Sequence, residues 1–165
     1  MEIAPSVTGT AEQLHIARSK LLDAFVQLEE SVVKLLVLSK TSFNGEMLGQ
    51  RIELLRNAKA GPQFSKQKQA DVRKLLIEAG PLLAIRNDIA HGRLQIALID
   101  QETHACFFNA RQTSEFDLQA RLFSLDQLDR LTRKIKGLAK DLSKTQSVTP
   151  PASPPPPSPA AKVGP

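Results

Sequence analysis

Leu14, Ala17, Leu21, Phe25, Leu28, Val32 and Leu35 recur at spacings of three and four. That is the period of one face of an α-helix. An amphipathic helix of this length gains most of its stability from packing, so the rest of the chain must supply apolar faces to cover it. The pattern predicts a helix from about Thr10 to Ser39, and Val26, Val33 and Val37 widen its stripe toward neighbours on two sides.

Those neighbours are also legible as helices. After a loop at Thr41-Ser42-Phe43-Asn44-Gly45, a shorter helix passes through Leu48, Ile52 and Leu55, with Gly61-Pro62 as its stop. A third stretch begins near Ser65 and carries Val72, Leu75, Leu76 and Ala79 on one face. Gly80-Pro81 is expected to break or kink it, because proline cannot donate to the carbonyl four residues back. The second half ends at Gly92, read as a left-handed C-terminal cap. The last helix opens at Ser124, with Gln127 completing a capping box and Phe123 with Leu128 a hydrophobic staple. Leu128, Leu131, Ile135, Leu138 and Leu142 form its seam. Arg130, Arg133, Lys134, Lys136, Lys140 and Lys144 lie outside the seam, as a solvated face or a surface that tracks phosphates.

Between the third and last helices the period changes. Leu94, Ile96 and Leu98 alternate with other residues, Asp100-Gln101-Glu102-Thr103 is polar, and Ala105-Cys106-Phe107-Phe108 is apolar again, which predicts a β-hairpin over 94–111. The expected fold class is therefore predominantly all-α: an antiparallel bundle of four to five helices, with a small β-hairpin inserted before the last. The folded domain covers 1–145. Residues 146–165, with Pro154-Pro155-Pro156-Pro157, read as a disordered proline-rich tail, either simply solvated or docking a groove that binds such peptides.

Composition narrows the functional classes. Aromatic residues make up 4% and neither Trp nor Tyr occurs, so the core must be aliphatic and a base-stacking platform is disfavoured. A formal charge of +5 favours polyanions without selecting among them. The single cysteine, Cys106, cannot form an intrachain disulfide. With no secretory pattern at the start and no long apolar run, the expectation is a soluble cytoplasmic protein with no membrane partner. His104 and Cys106 share a strand face but lack the second pair a zinc site needs, and Gly45 and Gly49 lack the Gly-Lys-Ser/Thr of a phosphate loop. No metal and no cofactor is expected.

The segment with chemical content is Arg86-Asn87-Asp88-Ile89-Ala90-His91-Gly92. Arg86 continues the apolar stripe of its helix, where a cation must be paired or face a cleft or partner. Asn87 and His91 are four apart and share a helix surface, so the amide could orient the ring. Arg86 and His91 are five apart, roughly 140° around an ideal helix. They cannot serve one reacting group unless the last turn is distorted or a second copy completes the site. A guanidinium that binds a phosphate and a histidine that moves a proton suit metal-independent phosphodiester transesterification. Arg93 would add a phosphate contact. The competing reading is structural, with Arg86 and Asp88 in ion pairs and His91 donating to the last helical carbonyls.

The string Arg86-Asn87-Asp88-Ile89-Ala90-His91 resembles the Arg-polar-…-His signature of the HEPN superfamily, the higher eukaryotes and prokaryotes nucleotide-binding domain. The resemblance implies a small helical bundle and a metal-independent endoribonuclease of toxin–antitoxin or defence systems. It implies that Arg86 and His91 are catalytic across a homodimer interface, with Asn87 and Asp88 as supporting residues and RNA as substrate. An antitoxin or nucleotidyltransferase-like protein is the implied partner. The alternative is a non-catalytic helical module for RNA or protein binding, with the motif in a structural role.

Overall fold

The apolar stripe of the first helix is the axis on which the other elements assemble. The computed structural model describes residues 7–100, 102–108 and 120–146. The first helix, α1, spans Val7–Leu38 and buries Leu14, Leu21, Leu28, Val32 and Leu35 completely. Helices α2 (Leu48–Arg56) and α3 (Lys66–His91) follow, then strands β1 (Arg93–Ile99), β2 (Glu102–Phe108) and β3 (Ala120–Ser124), and finally α4 (Leu125–Lys144). The fold is thus mostly helical, with a three-stranded antiparallel sheet in the order β1-β2-β3.

Polar contacts mark which flank of α1 meets each neighbour. The buried Ser31 hydroxyl lies 3.1 Å from the Ala139 carbonyl and 3.0 Å from the Ser143 hydroxyl, fixing α4 alongside. Glu29 accepts from Arg51 of α2 at 2.5 Å. Arg18 reaches the end of α3. Two-sided packing of α1 is therefore real, but of the three valines expected to provide it Val33 is half-buried, while Val26 is 54% exposed and Val37 62%. The latter two fall on the arc left over once α2, α3 and α4 have taken the rest.

Several boundaries differ from the sequence expectation for local reasons. α2 ends at Arg56 rather than at Gly61-Pro62, because the Asn57 N–H closes onto the Glu53 carbonyl and the Ala58 N–H onto that of Leu55. Gly61 and Phe64 then form an isolated bridge around a turn. α3 is not interrupted at Pro81. Pro81 lies on the exposed side, as does Ile77, whose carbonyl loses its helical donor, so water can replace the missing bond. Ser65 caps α3 by accepting from the Lys68 N–H at 3.2 Å.

The hairpin is present, tighter than expected and part of a larger sheet. Ile99 pairs with Glu102, and Asp100, just after β1, has φ 49°, a conformation Asp tolerates. β3 is an addition that the sequence reading did not foresee; it pairs Phe123 with Ala105 and Arg121 with Phe107. Phe107 is fully buried and meets Phe123 with the rings tilted at 60° and their centroids 6.1 Å apart. The Ser124–Gln127 capping box of α4 is formed as expected, and Leu128, Ile135, Leu138 and Leu142 are buried. The hairpin expectation past Phe108 and the proline-rich tail past Gln146 lie outside the described residues.

Candidate functional site

The segment from Arg86 to Gly92 forms the last turn of α3 and its exit into β1. That turn is regular. The Gly92 N–H donates to the Asp88 carbonyl at 2.7 Å, the ordinary helical bond. Arg86 and His91 consequently keep their separation of roughly 140° about the axis. Of the two routes that would let them act on one phosphate, a distorted turn is absent here.

The structural duties of this turn belong to other residues. Asp88 is buried, 6% exposed at its side chain, and pairs with Arg121 of β3 rather than with Arg86. The last carbonyls of α3 are held by Arg18 of α1 rather than by His91. Arg18 donates through Nε and Nη2 to the Ile89 carbonyl at 3.1 and 2.8 Å, and through Nη2 to Gly92 at 3.3 Å. Its guanidinium also stands over the Phe107 ring, 5.8 Å from the centroid, so it ties α1, α3 and the sheet together. Ile89 is fully buried.

Gly92 is needed for space, not for handedness. Its φ is −76° and its ψ 143°, ordinary extended backbone, so the expected left-handed cap does not form. A Cβ placed there would stand 2.2 Å from the Asp88 carbonyl oxygen, 3.2 Å from that of Phe108 and 3.3 Å from the Phe107 Cβ. The sheet leaves the helix too closely for any side chain.

Arg86, Asn87, His91 and Arg93 are the members left facing solvent. Arg86 is half-buried, and its Nη1 donates to the Asn87 side-chain oxygen at 3.2 Å. Asn87 therefore steadies Arg86 instead of orienting His91. The His91 ring is exposed and, among the described residues, has no hydrogen-bond partner. Arg93 is exposed at the start of β1, opposite Phe108.

Arg86 and Asn87 line a cleft of about 400 Å³ closed by Leu83 and by Met47, Leu48, Gly49 and Gln50 at the start of α2. The first turn of α2 contains no acidic residue. A guanidinium beside the positive end of a helix dipole makes this cleft favourable to anions. The other flank of α3 borders a more open groove of about 320 Å³, floored by Ile85, Leu122, Phe123 and Leu131 and edged by Arg130 and Lys134.

Arg18 and Arg121 were the residues missed. Arg18 sits beside the buried stripe of α1, but nothing local connects it to a turn 71 positions away. Arg121 lies on a strand that has no periodic signal of its own. Among the described residues no cluster of His, Cys, Asp and Glu could hold a metal ion, and no helix is long and apolar enough to cross a membrane.

No family model, curated protein or solved structure matches this chain.

Proposed function

We propose that this chain is a HEPN-like, metal-independent endoribonuclease, of the kind found in toxin–antitoxin or defence systems, acting as a homodimer through Arg86 and His91. The observation that carries the reading is the division of labour in the Arg86–Gly92 turn. Its ion pair and its cap are supplied from outside by Arg121 and Arg18, which leaves Arg86 and His91 without the structural jobs that would otherwise account for them. Because the turn is regular, the two side chains diverge within one copy. Two copies related by a two-fold axis would bring the arginine of one toward the histidine of the other.

In such a site Arg86 binds the scissile phosphate, steadied by Asn87, and stabilises charge building on its oxygens. One His91 takes the proton of the ribose 2′-hydroxyl as the 2′-oxygen attacks phosphorus. The bond to the 5′-oxygen breaks, and that oxygen takes a proton from solvent water while the proton held by His91 returns to solvent. The products are a 2′,3′-cyclic phosphate and a 5′-hydroxyl. Asp88 supports the turn from within through Arg121, and Arg93 lies where it can contact a flanking phosphate. An antitoxin or nucleotidyltransferase-like protein would be the natural partner of such an enzyme.

The test is cleavage of RNA by the full chain with EDTA present, with product ends analysed. The wild type should leave cyclic phosphates, and Arg86→Ala and His91→Ala should each lose at least about 100-fold in rate. Mixing these two inactive variants should restore about a quarter of the wild-type rate, since half of the freely exchanged dimers are mixed and each holds one intact Arg–His pair. Cleavage undiminished in His91→Ala would remove the catalytic assignment. An inert wild type would leave the chain as a non-catalytic binding module.

A further inference from the structure

The outward face of α4 carries more positive charge than its own acids neutralise. At its two ends Asp126 pairs with Arg130 at 2.9 Å and Asp141 with Lys144 at 2.7 Å. Between them stand Arg133, Lys134, Lys136 and Lys140, all exposed. Among the described residues none of these makes an ion pair, and Arg133 donates to the Asp129 backbone carbonyl of its own helix at 3.4 Å. The Asp129 carboxylate is the remaining acid on this face. Lys136 and Lys140 are one turn apart, as are Arg133 and Lys136, and like charges at those spacings destabilise a helix. A bound polyanion would relieve that repulsion.

Charge alone would suit an anionic lipid surface as well as a nucleic acid, and the apolar residues decide between them. A helix that lies in a membrane interface needs a free apolar side to insert. The apolar side of α4 is buried in the core through Leu128, Ile135, Leu138 and Leu142, and no large exposed hydrophobic residue lies on this helix. The ridge offers charge but no apolar side to insert. From Arg133 to Lys140 it rises about 10 Å along the axis, enough for a strand to present successive phosphates.

We propose that Arg133, Lys136 and Lys140, which fall on one side of α4, form a track for the phosphate backbone of RNA. The choice of RNA rests on the ribonuclease reading of Arg86 and His91; the ridge itself does not. Contacts of this kind add affinity without sequence preference and weaken as salt rises.

The test is fluorescence anisotropy of the full chain with a labelled 2′-O-methyl oligoribonucleotide of about 20 nucleotides, long enough to cover several phosphates and blocked at the 2′-oxygen against cleavage. Binding should weaken from 50 to 200 mM KCl. The triple variant Arg133→Gln, Lys136→Gln, Lys140→Gln should lose at least about ten-fold in affinity at low salt, and its slope against salt should flatten by about 2, at about 0.7 per lost contact. The charge-keeping variant Arg133→Lys, Lys136→Arg, Lys140→Arg should bind within about two-fold of wild type, since the contact depends on charge. On the wild-type chain, bound RNA should protect Lys136 and Lys140 from acetylation and leave the exposed Lys59 and Lys74 reactive. Unchanged affinity and slope in the glutamine variant overturns the proposal, as does a footprint that spares the ridge. A wild type that binds phosphatidylserine vesicles but no RNA overturns it too. The two readings fail separately: cleavage that ignores His91 removes the catalytic site alone, and His91-dependent cleavage with wild-type binding by the glutamine variant removes the ridge alone.

Discussion

Replacing Arg18 with alanine should destabilise the protein more than any other change to the surface of α1. The guanidinium makes two bonds to the Ile89 carbonyl, at 3.1 and 2.8 Å, and longer ones to Gly92 and Ala90 at 3.3 and 3.5 Å. A hydrogen bond from a charged donor contributes about 1.5–3 kcal/mol. Arg18 is half-buried, so the lower end applies, and the longer bonds share its nitrogens with the shorter ones. Its place over Phe107 adds about 0.5–1 kcal/mol. The expected loss is about 2.5 kcal/mol, which in a chain of this size lowers Tm by about 5–10 °C. Urea unfolding followed by circular dichroism measures the first, and a thermal melt the second. Arg18→Lys should recover about half, because an ammonium keeps the charge near the α3 carbonyls but lacks the fork that grips Ile89 with two nitrogens. Amide exchange should rise chiefly around residues 88–92. A stability within about 0.5 kcal/mol of wild type, the range of an ordinary surface substitution, would refute the assignment of Arg18 as the cap of α3.

Two further perturbations probe the same junction. Gly92→Ala should destabilise by about 1–3 kcal/mol through overpacking against the Asp88 and Phe108 carbonyls. Gly80→Ala, where a Cβ meets nothing within 4 Å in a helix interior, should stabilise by about 0.5–1 kcal/mol; equal effects in chemical denaturation would contradict the packing argument. Arg121→Met takes a guanidinium from a buried carboxylate and should lose about 1–3 kcal/mol, below the full figure for a buried pair because Arg121 is 44% exposed. Adding Asp88→Asn to that variant should recover part of the loss, and a double-mutant cycle with no coupling would show that the pair does not matter.

Helices α1 and α4 were legible in the sequence because their apolar residues repeat at the helical period over many turns. The capping box at Ser124 and the polar turn between β1 and β2 were legible too, since each rests on residues adjacent in the chain. The Arg86–Gly92 string was visible as a unit, together with the angular divergence of Arg86 and His91, because helix geometry alone fixes it. Other features depended on long-range packing. Whether Pro81 breaks α3 depended on which side of the helix would meet water. Whether Val26 and Val37 are core depended on where three neighbours settled around α1. The partners of Asp88 and of the last α3 carbonyls come from 33 and 71 residues away, and no local pattern encodes such distances. Sequence determined which side chains stand at the end of α3. Tertiary structure decided which of them are occupied in holding it together, because a buried charge or an open helix end takes whatever partner the fold brings near.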